Sequence, residues 1–170
     1  MVQIDRVWAM PNKNTFDIKP IRQLLNEEVN ARELWIDPFA NKNKLATITN
    51  DLDPQYGTDF NMDALDFLKR FGDASIHGVL FDPPFSSRQI SEHYKRLGRT
   101  VNMETTQASF WGNMKKEVGR ITRPGGKCVT FGWNSGGIGN KYGFSITRIL
   151  LVPHGGWHND TICTVEVKDR

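Results

Sequence analysis

Asp82, Pro83, Pro84 and Phe85 stand directly after the apolar run Gly78 to Phe81. A short run of that kind ending on a carboxylate reads as a buried parallel strand with the acid at its carboxyl end. In open α/β sheets that edge is where ligands bind, and two prolines restrict the backbone there. Asp82 is therefore expected to be rigidly held, with the Phe85 ring beside it. A fixed carboxylate next to a backbone carbonyl suits an amino group on a planar heterocycle. One N–H would be donated to Asp82 and the other to the Pro83 carbonyl, leaving the nitrogen lone pair out of the ring plane. Phe85 would stack on the ring, a contact worth roughly 1–3 kcal/mol. The plainer alternative is a strand followed by a proline-rich turn.

A second strand end repeats the pattern 45 positions earlier, where Glu33 to Asp37 leads into Pro38, Phe39 and Ala40. The next residues are Asn41, Lys42, Asn43 and Lys44. Asparagine tolerates the left-handed backbone region best after glycine, so Asn41 or Asn43 can make the tight turn that such a strand end needs. The two lysines either favour a ligand carboxylate or are simply solvated. Leu45 to Asp53 reads as the following strand, closing on carboxylates. An acid at that place in a doubly wound sheet accepts hydrogen bonds from ribose hydroxyls; Asp51 is the first choice and Asp53 the second, with an acidic turn before Pro54 as the structural alternative. Asp63 is placed to cap the helix that follows it.

Asp82-Pro83-Pro84-Phe85 resembles the D-P-P-Y/F/W motif of S-adenosylmethionine-dependent amino-methyltransferases, in particular the adenine-N6 DNA methyltransferases. Asp37-Pro38-Phe39-Ala40 resembles the D-P-F-x-G-x-G cofactor motif of the same enzymes, with asparagines and lysines in place of the glycines. Compact phage-encoded adenine methyltransferases have similar glycine-poor turns. The resemblance implies a Rossmann-like class I sheet, mostly parallel with a C-terminal antiparallel hairpin, and S-adenosyl-L-methionine as cofactor. It implies direct methyl transfer to an adenine flipped out of DNA, with Asp82, Pro83, Pro84 and Phe85 as the catalytic set. Asp37, Pro38, Phe39, Ala40, Asn41, Asp51 and Asp63 would hold the cofactor. D-P-P-F favours adenine over cytosine-N4, whose enzymes more often begin the motif with Ser, and N-P-P-Y would have suggested protein glutamine. RNA remains an alternative polymer. A non-enzymatic reading also stands: the same fold without its motif glycines, acting as a nucleic-acid binder or partner subunit. A dehydrogenase is disfavoured, because no G-x-G-x-x-G follows the first strand.

These residues need a sheet and helices to position them. Pro20 opens a helix with Ile21, Leu24 and Leu25 on one face. Asn61 to Phe71 has helical apolar spacing, Pro124 to Trp133 is a strand after a turn, and Phe144 to Pro153 with Thr161 to Val167 reads as a closing hairpin. Val2 to Lys19 reads as an irregular arm. Residues 86–123 carry eight basic and three acidic side chains, a net +5 where the whole chain is only +3. That concentration suits a phosphate backbone, so Arg88, Lys95, Arg96 and Arg99, with Trp133 and Asn134 at the next strand end, are the expected substrate contacts.

At 170 residues the chain is expected to be one methyltransferase domain, 1–170, without a separate target-recognition domain. Specificity would then come from short loops, a homodimer or a partner subunit, or be low. No apolar run approaches the ~18 residues of a membrane span, and the first residues do not read as a signal peptide. The expectation is a cytoplasmic protein, in the host cytoplasm if phage-encoded. Cys128 and Cys163 lie in strand-like runs and read as free buried thiols. The four histidines have no ligand spacing with them, so no metal is expected.

Overall fold

The computed structural model describes residues 1–84, 95, 98 and 108–169, the side chains of 108 and 109 excepted. Its strands are β1 (Gln3–Arg6), β2 (Trp35–Asp37), β3 (Ile48–Thr49), β4 (Ile76–Phe81), β5 (Thr122–Gly132), β6 (Phe144–Val152) and β7 (Thr161–Lys168). The α-helices are α1 (Lys19–Glu28), α2 (Ala64–Lys69) and α3 (Ala108–Ile121). All seven strands form one sheet in the order β1-β6-β7-β5-β4-β2-β3. The pairs β1–β6, β2–β3, β2–β4 and β4–β5 are parallel. Only β7 runs against its neighbours β5 and β6. The mostly parallel sheet with an antiparallel C-terminal hairpin is the architecture expected from the sequence.

Alternation along the central strands fills two apolar layers. Leu80, Val129 and Phe131 join Trp35, Phe16 and the α1 residues Ile21, Leu24 and Leu25 on one face. Val79, Phe81 and Cys128 join Phe67 and Leu68 of α2 and Met114, Val118 and Ile121 of α3 on the other. Burying both faces is why β4 and β5 read as continuous apolar runs. Each such aliphatic or aromatic side chain contributes roughly 1.5–3 kcal/mol by leaving water. Gly78 permits a close contact: a Cβ there would lie 2.3 Å from the fully buried Trp35 ring.

The N-terminal arm departs from expectation. Gln3–Arg6 is a strand, parallel to β6 at the sheet edge. Its side chains are mostly exposed, so it lacks the apolar alternation that reveals a strand. Backbone pairing supplies the structure instead, reinforced by Arg148, which reaches Asp5 at 3.1 Å and Glu27 of α1 at 2.6 Å. Among the described residues no helix is long and apolar enough to cross a membrane.

Candidate active site

The chain runs from β2 outward to β3 and then returns to the other side of β2 as β4. The crevice beyond the carboxyl ends of β2 and β4 is thus the topological switch point, where α/β sheets bind ligands. Asp37 ends β2 and Asp82 follows β4. The two D-P strand ends of the sequence therefore lie on adjacent strands.

Among the described residues both carboxylates lack an opposite charge. Asp37 is 1% exposed and accepts a 3.0 Å hydrogen bond from the Phe39 amide. Burial drives its carboxyl well above the usual range, opposed by the Phe39 amide and assisted by the negative charges of Asp82 and Asp51. Desolvation raises Asp82 to about 6, with the Thr15 hydroxyl partly offsetting it. Among the described residues neither acid has an ion-pair partner. Such a pair fits a ligand that brings positive charge between them.

The turn after β2 is built without glycine. Asn41 takes the left-handed conformation at φ +51°, and its side-chain oxygen accepts from the Lys42 amide at 2.7 Å. Asp51 braces the turn by accepting from the Asn41 amide at 2.9 Å, and from the Asp53 amide at 2.9 Å. Pro38 and Ala40 are buried, and Phe39 packs edge-on to Phe81 with ring centroids 5.6 Å apart. Asp53 accepts from the Gln55 backbone and side chain. Asp63 caps α2 through the Leu65 amide at 2.9 Å. Lys42 is exposed, and Lys44 donates to the Gly57 carbonyl at 2.6 Å.

Two residues that hold this site carry no signal in the sequence. Asn50 is fully buried and its side-chain amide donates to the Pro38 and Met62 carbonyls, both at 3.0 Å, while its oxygen accepts from the Met62 amide. One side chain thereby ties the β2 turn to the segment entering α2. Asn14 donates to Asn43 at 3.0 Å and so joins the N-terminal arm to the same turn. An asparagine in a polar loop looks the same whether it is solvated or a buried hub.

On the other side of Asp82 a cleft of about 290 Å³ is lined by Phe81, Pro83, Trp111, Lys115, Thr130, Phe131, Gly132, Trp133, Asn134 and Gly137. Trp133 is 46% exposed, and Asn134 is exposed and accepts from the Gly136 amide. The far wall is the loop 137–139, fixed by Glu166, whose two carboxylate oxygens accept from the Ile138 amide at 2.7 Å and the Gly139 amide at 2.9 Å. A Cβ on Gly137 would sit 2.3 Å from that carboxylate, so glycine is required for the loop to approach it. Pro84 is half-buried and Lys95 exposed. Phe85, Arg88, Arg96 and Arg99 lie outside the described residues. Among the described residues no group of three or more His, Cys, Asp or Glu is arranged for a metal, and both cysteines are buried free thiols.

No family model matches the chain, and no curated protein matches it. Solved structures do. TrmN from Thermus thermophilus superposes with a TM-score of 0.58 at 16% identity, over 89% of this chain and 49% of its own. A 1,6-didemethyltoxoflavin-N1-methyltransferase from Burkholderia thailandensis, with its substrate and S-adenosylhomocysteine bound, gives 0.58 at 11% identity over 89% of this chain and 78% of its own. SMU.776 in complex with SAH gives 0.61 at 13% identity over 91% and 50%. The fold is a methyltransferase fold. The chain spans about half the length of TrmN and of SMU.776.

Proposed function

We propose that the protein transfers a methyl group from S-adenosyl-L-methionine to the exocyclic N6 amine of adenine in DNA. The observation that carries this reading is the pairing of buried Asp37 with half-buried Asp82, both without an ion-pair partner among the described residues, at the switch point of a methyltransferase fold, with Pro83 lining an aromatic cleft. Two of the structural neighbours carry S-adenosylhomocysteine, which supports the choice of cofactor.

When bound, S-adenosylmethionine supplies an electrophilic methyl on a positively charged sulfur. Asp37, the Pro38–Asn41 turn and Asp51 hold it on the β2 side, and Asp63 stands at the neighbouring helix start. Asp82 and the Pro83 carbonyl accept the two amine hydrogens from the β4 side. This arrangement holds the nitrogen in the orientation in which its lone pair leaves the ring plane. It also gives the amine an acceptor as positive charge grows on nitrogen during transfer. Phe85 is the stacking partner that the motif proposes for the base. The target base must leave its duplex stack to reach such a pocket, at a cost of a few kcal/mol.

The test is transfer of radiolabelled methyl to unmodified double-stranded DNA, single-stranded DNA and RNA, with calorimetric binding of the cofactor alone. Label on adenine in DNA is expected. Label only in RNA would replace the polymer. An absence of both label and cofactor binding would overturn the enzyme reading and favour a nucleic-acid binder whose asparagine-built turn holds no cofactor.

A further inference from the structure

We infer that Lys115 forms a phosphate subsite in the aromatic cleft, so that the site is built for a nucleotide and not for a neutral base or nucleoside. This rests on the methyl-transfer reading above and adds the residue that separates a nucleic-acid substrate from a free small molecule.

Lys115 is half-buried on α3 and is, among the described residues, the one cationic side chain lining the cleft, beside Phe81, Pro83, Trp111, Phe131 and Trp133. Farther along α3 and β5, Arg120 binds Glu117 at 2.7 Å and Asp73 at 2.6 Å, and Lys127 binds Glu28 at 2.8 Å, whereas the adjacent Lys116 is exposed. Among the described residues Lys115 has no ion-pair partner. Glu166 is the acid whose field it feels, but both oxygens of that carboxylate are turned to the Ile138 and Gly139 amides. Lys115 therefore keeps donor capacity beside the rings that line the cleft. A charge-assisted hydrogen bond to an anion is the strong way to use that capacity, and lysine serves phosphate as a point charge. The rings of Trp111 and Trp133 offer faces or edges to a planar base, a contact that tolerates any base. Base and phosphate recognised in one cleft, with Pro83 at its edge, describe a nucleotide presented to Asp82. A small neutral amine would leave Lys115 unused.

The experiment is a titration of tryptophan fluorescence with adenosine, adenosine 5′-monophosphate and ribose 5-phosphate, without cofactor, so that it reads binding and not turnover. The monophosphate is expected to bind about tenfold more tightly than adenosine, the gain of one hydrogen bond to a charged group. In Lys115→Gln that ratio is expected to fall to about one, and Lys115→Arg to keep most of it. Equal affinity for adenosine and its monophosphate in the unmodified protein would overturn the subsite. So would a ratio unchanged in Lys115→Gln, or ribose 5-phosphate binding as tightly as the monophosphate. Thermal melting of both variants separates these outcomes from unfolding. Discrimination by Lys115 without methyl transfer to any polymer would count against the enzyme reading alone, whereas methyl transfer to DNA without that discrimination would count against the subsite alone.

Discussion

Asp82 has two properties that pull against each other: its proposed role needs an ionised acceptor, and its surroundings hold it protonated up to about pH 6. Activity should therefore rise with pH through that region. The logarithm of kcat/KM is expected to climb between pH 5 and 7 and then level off, and a flat profile over that range would remove Asp82 from the acceptor role. Asp82→Ala should lose methyl transfer by more than about a hundredfold, the size of a lost transition-state contact of this kind. Cofactor affinity should stay within a few-fold, because the β2 turn is untouched; calorimetry beside the transfer assay reads both, and equal loss of the two would sink the division of roles. The place of Asp82 at the carboxyl end of β4 was legible from the sequence, because it closes a continuous apolar run. Asn50 was not, since its three hydrogen bonds go to backbone atoms that only the folded chain brings together.

The elements that carry the site depend on contacts that differ in how openly the sequence shows them. Gly78 of β4 stands opposite Trp35 of β2, with the Trp35 ring lying over it. Gly78→Ala places a methyl inside the van der Waals radius of a buried ring that has no room to move, and should destabilise by about 3 kcal/mol in chemical denaturation. Trp35→Leu in the same chain should recover part of that loss; a neutral Gly78→Ala would show that the strands can separate without penalty. The β2 turn shows a different economy. Asn41 holds φ +51° with its own side chain bonded to the next amide, so Asn41→Ala should cost about 1 kcal/mol and weaken cofactor binding more than it lowers the melting temperature. The sequence announced the parallel strands, whose two buried faces give continuous apolar runs, and the helix of Ile21, Leu24 and Leu25. It hid β1, whose exposed residues have no periodicity, and it left Asp63 undecided between ligand and cap; the structure shows the cap bond.

Across the whole molecule, the carboxylates that build the site also set when the fold is most stable. Asp37, Asp82 and Glu166 are all raised, chiefly by desolvation. A group with a raised folded pKa binds its proton more tightly in the native state, so its contribution is complete below the unfolded value and is lost as pH rises through the folded one. For Asp82 that window runs from 3.8 to about 6 and is worth on the order of 2 kcal/mol after allowing for partial exposure. Asp59 and Glu27 are lowered by their hydrogen bonds to Thr49 and Arg148, and their contribution disappears only as pH falls below the ordinary carboxylate range. The ligand-free protein should therefore melt at a higher temperature at pH 5.5 than at pH 7.5. A cationic ligand between Asp37 and Asp82 would remove the penalty of ionising them. S-adenosylmethionine should then raise the melting temperature more at pH 7.5 than at pH 5.5, while S-adenosylhomocysteine, whose sulfur is uncharged, should show a much weaker dependence. If the two ligands stabilise the protein equally at both pH values, Asp37 and Asp82 are not the seat of the sulfonium, and the role of the two acids at the switch point must be sought in the amine alone.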